Sequence, residues 1–114
     1  MAKLAAMRCS PYRSGERALS EDESTELCPQ VPEWTVVERE GIQRLERAFA
    51  FPNFAGALAF TNQVGALAEA ENHHPAILTE WGQVTVTWWT HKVGGLHLND
   101  FIAAAKTDRI YAPG

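Results

Sequence analysis

Apolar positions along the chain change their period several times, and each change marks an element. Trp34-Thr35-Val36-Val37-Glu38-Arg39 reads as a strand, and Glu40-Gly41 as a tight turn in which Gly supplies positive φ. Ile42 to Phe51 sets Leu45, Arg47, Phe49 and Phe51 on one face and completes a hairpin. Pro52-Asn53 breaks the strand. The apolar spacing then widens to three and four: Phe54, Ala57, Leu58, Thr61, Val64 and Ala68 form a stripe that Leu67 broadens. This predicts a long helix over residues 53–71. Pro75 disfavours helical geometry at the preceding residue, so His74 is expected just outside the helix in extended backbone. A second hairpin follows, with Ala76 to Glu80 as one strand, Trp81-Gly82 as the turn and Gln83 to His91 as the other strand. Val84, Val86 and Trp88 share one face of it; Thr85, Thr87, Trp89 and His91 share the other. Gly94-Gly95 makes a loop, and Leu98-Asn99-Asp100 leads into a last helix ending near Asp108, with Asn99 or Asp100 as its N-cap.

Upstream, residues 10–26 are rich in Ser, Glu and Arg and lack a sustained apolar period. Within them Ser20 and Glu23 have capping-box spacing, which predicts a short helix ending before Pro29; upstream of Ser20 disorder is expected. The chain thus divides into an N-terminal extension over residues 1–26 and a domain over residues 27–114. The order α-β-β-α-β-β-α, with strands grouped in hairpins, predicts an α+β fold. It has two layers, a four-stranded antiparallel sheet with helices on one face.

Composition narrows the picture. The 114 residues suit one domain, and a formal net charge of −4 argues against broad nucleic-acid binding, which needs a dense cationic surface. The two cysteines, Cys9 and Cys28, fit no C-x-x-C spacing and are too few for a disulfide framework, which favours a reducing compartment. The apolar stretch before Arg8 is shorter than a secretory core, and no stretch approaches the roughly 20 apolar residues of a membrane span, so a cytoplasmic location is expected.

All four histidines lie between positions 73 and 97. His73, His74 and His91 fall at ends of predicted elements, where side chains from distant parts of a fold converge. Glu69 stands four residues before His73, on the same helical face, where its carboxylate is expected to orient the imidazole and raise its basicity. Imidazoles with an ordinary pKa of about 6.5 give and take protons at neutral pH, which suits a reaction that moves two protons, such as elimination of water. No G-x-S-x-G elbow suggests a covalent nucleophile. Taken singly, each residue has a structural reading. His-His-Pro can cap a helix C-terminus, His91 can be an ordinary strand-end residue, and His97 fits a solvated loop or first-turn position. Zinc ligation is disfavoured, because adjacent histidines chelate one ion poorly and no H-x-x-x-H or H-E-x-x-H spacing occurs. Trp88 shares the Val84–Val86 face and reads as core, whereas Trp81 and Trp89 can line a pocket for a flat heterocycle, with a subunit contact an equal reading for Trp89.

Spacing links these residues. Glu69, three residues, His73-His74-Pro75, five residues, Trp81, nine residues, His91, eight residues and Asp100 resemble the signature of the pterin-4a-carbinolamine dehydratase family. Pro32-Glu33-Trp34, Phe49-Ala50-Phe51-Pro52-Asn53-Phe54 and the Thr90-His91, Gly95-Leu96 segment match it too, so that the resemblance runs from about Leu27 to Tyr111. It implies dehydration of 4a-hydroxytetrahydropterin to quinonoid dihydropterin and water, the step that follows pterin-dependent aromatic amino-acid hydroxylases. By the resemblance, His73, His74 and His91 surround the pterin and two act as acid and base. Glu69 orients His73, Asp100 supports the pocket near His91, and Pro75 and Trp81 help to form the substrate site. Neither a metal nor an organic cofactor is implied, since the pterin is the substrate. Ala76-Ile77 replaces an acidic–aromatic pair found in some members, which leaves Trp81 to supply an aromatic wall. The resemblance also implies a homodimer or homotetramer. Two other roles are open: a dimerisation module for a transcription regulator, and action on another pterin, as in molybdopterin metabolism.

Overall fold

The computed structural model describes residues 3–11 and 16–112. Four strands, β1 (Thr35–Arg39), β2 (Ile42–Ala50), β3 (Ala76–Glu80) and β4 (Gln83–Trp88), form one antiparallel sheet in the order β1-β2-β4-β3. With helices α1 (Glu21–Leu27), α2 (Phe54–Glu71) and α3 (Leu98–Tyr111), the order is the expected α-β-β-α-β-β-α of an α+β fold. Both hairpin turns are where the glycines put them. Glu40 and Gly41 take φ of 55° and 77°, the pair of positive values that a two-residue hairpin turn matched to strand twist demands.

Register places the core. Leu45 faces Trp88, Arg47 faces Val86 and Phe49 faces Val84 across β2 and β4, so alternate residues of both strands present one apolar surface to the helices. Leu45, Phe49, Val84, Val86 and Trp88 are buried there. Helix α2 lays Ala57, Phe60, Val64 and Ala68 against this surface, a narrower line than the expected stripe; Phe54 and Leu58 turn outward and are exposed. Helix α3 is buried over most of its circumference, because Ala103, Ala104 and Ala105 let its backbone come close to its neighbours. It runs to Tyr111 rather than ending near Asp108. Asp108 is fastened by Trp34 Nε1 (2.8 Å) and Arg47 (2.7 Å), and the Tyr111 ring packs 4.9 Å from Phe49, so the last turn has partners that local sequence does not reveal.

Two differences bear on the site. Strand β4 ends at Trp88 instead of reaching His91, which opens a short 3-10 turn over His91–Val93. A single bridge between Thr90 and Gly95 closes that loop, and Gly94 at φ 68° makes its reversal. The N-cap of α3 is His97, not Asn99 or Asp100.

The short helix expected after Ser20 forms with its capping box complete: Ser20 Oγ accepts from Glu23 N, and Glu23 accepts from Ser20 N. Part of the region expected to be disordered, residues 12–15, lies outside the described residues. The flanking pieces pack on the domain. Leu4 is buried within the common core, and Leu19 N donates to Leu96 O at 2.8 Å.

Candidate active site

The site begins at the C-terminus of α2. Asn72 takes the left-handed conformation (φ 52°, ψ 42°), His73 N donates to Ala68 O at 3.1 Å, and Asn72 N to Glu69 O at 3.4 Å. These two bonds make a Schellman motif. The chain therefore leaves helical register one residue before His73, and the expected pairing of Glu69 with His73 does not form. The reversal brings the next imidazole back instead: His74 Nε2 lies 2.5 Å from Glu69 Oε2, on the exposed rim.

The carboxylate that orients His73 comes from α3. Asp100 Oδ1 lies 2.6 Å from His73 Nε2, and its other oxygen accepts from Thr90 Oγ1 (2.8 Å) and His97 N (2.9 Å). Asp100 is 0% exposed. A carboxylate so buried is costly unless donors surround it, and three do. The bond from His97 N is half of a capping box; in the other half, His97 Nδ1 accepts from Asn99 N at 3.1 Å. Placement of Asp100 is thus part of starting the helix. Trp88, whose indole N–H donates to Thr107, stacks on the His73 ring at 5.4 Å and 22°. With Nε2–H directed at the carboxylate, Nδ1 is left as the basic nitrogen of a ring held at one edge and one face.

His73, His74 and His91 line one cleft of about 600 Å³ together with Trp89 and Thr90. The Trp89 ring lies 5.7 Å from that of His91 and carries the Arg44 guanidinium at 4.2 Å on its face, so it forms a stiff aromatic wall. Asp100 holds His73 with one oxygen and with the other reaches Thr90, the residue before His91, and Pro75 lies beside the cleft without lining it. Trp81 is not brought to the site. It sits at the β3–β4 turn, 73% exposed, at the opposite end of β4 from His91. The aromatic wall expected of Trp81 is supplied by Trp89.

The rest of the lining was not foreseen. Arg8, Cys9, Ser10 and Pro11 close one side, with Glu71 and Asn99 beneath them. Burial, with the charge and hydrogen bonding of Glu71, pushes the Cys9 thiol up to about 12, so it is a neutral group here. Nothing in the N-terminal sequence signals a return to residues 62 and 89 positions away. Among the described residues no group of three or more His, Cys, Asp or Glu side chains is arranged to hold a metal.

A buried carboxylate–imidazole pair, with two further imidazoles lining the same cleft, can give and take protons, and it is built on a two-layer α+β domain. Comparisons with known proteins place the chain in a family. The family described as Pterin 4 alpha carbinolamine dehydratase matches residues 17–110. A protein of Microcystis aeruginosa, provisionally named a pterin-4-alpha-carbinolamine dehydratase, is 58% identical over 97% of this chain and 96% of its own length. One of Nitrosococcus oceani with the same provisional name is 59% identical over 96% and 97%. Among solved structures, a transcriptional coactivator/pterin dehydratase from Brucella melitensis superposes with a TM-score of 0.77 at 30% identity, over 84% of this chain and all of that one. A pterin dehydratase-like RuBisCO assembly factor of the alpha-carboxysome shares the fold, with a TM-score of 0.61 at 23% identity over 72% of this chain and 93% of its own. The chain belongs to the pterin-4-alpha-carbinolamine dehydratase family.

Proposed function

We propose that the protein dehydrates 4a-hydroxytetrahydropterin to quinonoid dihydropterin and water. The observation that carries this reading is the His73–Asp100 pair, set at 2.6 Å in the wall of a cleft that His74 and His91 also line. Elimination breaks the C4a–O bond and removes a proton from a ring N–H. One imidazolium donates to the departing hydroxyl, which leaves as water, while a neutral imidazole takes the ring proton; the net proton count of the protein is unchanged. His73, with Nδ1 basic and its cationic form supported by Asp100, is suited to take and return a proton. His74 and His91 supply the partner group. Trp89 offers a flat face to the pterin. The chemistry calls for no metal or organic cofactor. Such an enzyme would recycle the pterin of an aromatic amino-acid hydroxylase in the cytoplasm.

The test is decay of enzymically generated carbinolamine, followed by its ultraviolet absorbance. His73→Ala and His91→Ala are each expected to lose about 10²–10⁴-fold in rate, the usual contribution of a general acid or base. Variants that match the parent protein would remove the assignment.

Self-association has its own support. Phe54 and Leu58 project from one flank of α2 with nearly half of each residue exposed, a surface suited to a second copy. A dimer or tetramer is expected by light scattering, and Leu58→Glu is expected to lower the mass.

A further inference from the structure

We propose that residues 8–11 are a substrate-contacting strap, an added wall of the cleft that determines how tightly the pterin is held; this rests on the cleft being the pterin site. Two side chains fasten it. Glu71 Oε1 accepts from Cys9 N at 2.8 Å, and its Oε2 lies 3.1 Å from Arg8 Nε. The Asn99 amide grips Ser10 at both backbone groups, accepting from Ser10 N at 2.9 Å and donating to Ser10 O at 2.7 Å, as a neighbouring strand would. The Cys9 thiol adds a longer contact to Asn99 O at 3.6 Å.

The fasteners are placed where the chemistry is. Glu71 stands two residues before His73 on the same helix end, and Asn99 immediately precedes Asp100. The strap is therefore referenced to both halves of the His73–Asp100 pair. Arg8, Cys9, Ser10 and Pro11 face the same space as the three histidines. Ordering an extended N-terminal segment costs backbone entropy at every residue. Further upstream, Leu4 packs into the core and anchors the segment from its other end. The family match begins only at residue 17, whereas the curated relatives match almost the entire chain. The strap is thus an addition to the shared domain. A deeper cleft buries more of a small ligand, and that is how such a wall acts.

The experiment combines tryptophan-fluorescence titration with 7,8-dihydropterin and steady-state dehydration. Glu71→Ala/Asn99→Ala is expected to raise Kd and KM by about tenfold, with the loss falling on KM far more than on kcat, and Glu71→Gln to restore part of it. His73→Ala should show the opposite split. In a Cys28→Ser background, saturating dihydropterin should also slow alkylation of Cys9 several-fold, a readout that needs no strap variant. A folded double variant with parental Kd and KM, or ligand that leaves Cys9 alkylation unchanged, overturns the strap. Failure of the parent protein to bind dihydropterin overturns the pterin reading instead, and the strap with it.

Discussion

His73 Nε2 and Asp100 Oδ1 meet at 2.6 Å although 27 residues separate them, one at the end of α2 and the other in the first turn of α3. Helix termination and helix initiation are thereby joined in one side-chain pair. Asp100→Asn keeps the shape but removes the charge that supports a cationic His73. Carbinolamine dehydration is expected to fall at least tenfold, and stability by about 1–3 kcal/mol, since buried donors lose a charged acceptor. Parental kinetics in this variant would assign His73 no proton-transfer role.

Glu69 gives a contrasting expectation. Its bond to His74 lies on the rim, with the two side chains 79% and 57% exposed. Water competes for both partners, so Glu69→Gln should change stability by less than about 0.5 kcal/mol and reduce turnover far less than Asp100→Asn does. Equal losses in the two variants would return the orienting role to Glu69.

Acid should loosen the strap. Burial alone would raise the Glu71 carboxyl, but the Cys9 N–H, the charges of Lys106 and Arg8, and the Cys9 thiol outweigh it and hold the group below its ordinary 4.5. The folded value lies below the unfolded one. The contribution is therefore full above about pH 4.5 and is lost as pH falls through the lower folded value. Urea midpoints from roughly pH 6 to 3 should show Glu71→Gln less stable than the parent at the upper end, with the gap closing in acid. A gap independent of pH would mean that the charge of Glu71 is not what holds the segment.

Cys9 should be a slow thiol. Burial first, and then Glu71, pushes it up to about 12, so little thiolate is present at neutral pH. Iodoacetamide labelling in a Cys28→Ser background should be slow, and Glu71→Gln should speed it by removing a neighbouring negative charge. Rapid labelling of the parent would show that the segment spends much of its time detached.

The elements were legible because their signals are local. Alternation in Val84, Val86 and Trp88, the glycines of two turns and the stripe through Ala57, Val64 and Ala68 each act over a few residues, and the architecture followed from their order. The three cleft histidines were legible by spacing. Their partners were not. One left-handed residue, Asn72, turned Glu69 from His73, where it was expected, to His74, and Asn is only one of several residues that end helices this way. Trp81 and Trp89 are both strand-associated aromatics, and alternation says which face a residue takes but not which end of the sheet holds the cleft. His97 hid the capping box of α3, because His is not among the residues that usually start one. The strap depends on contacts across 62 and 89 residues and has no local signature.

The Schellman cap on α2 also fixes how long that helix can be. One residue added anywhere between Phe54 and Glu71 would turn the cap by about 100° and advance it by about 1.5 Å, swinging His73 off Asp100 and Glu71 away from the strap together. The two hairpin turns can lengthen without reaching the cleft, but α2 behaves as a spacer of set length. Insertions and deletions should therefore be tolerated at the hairpin turns and excluded from these 18 residues.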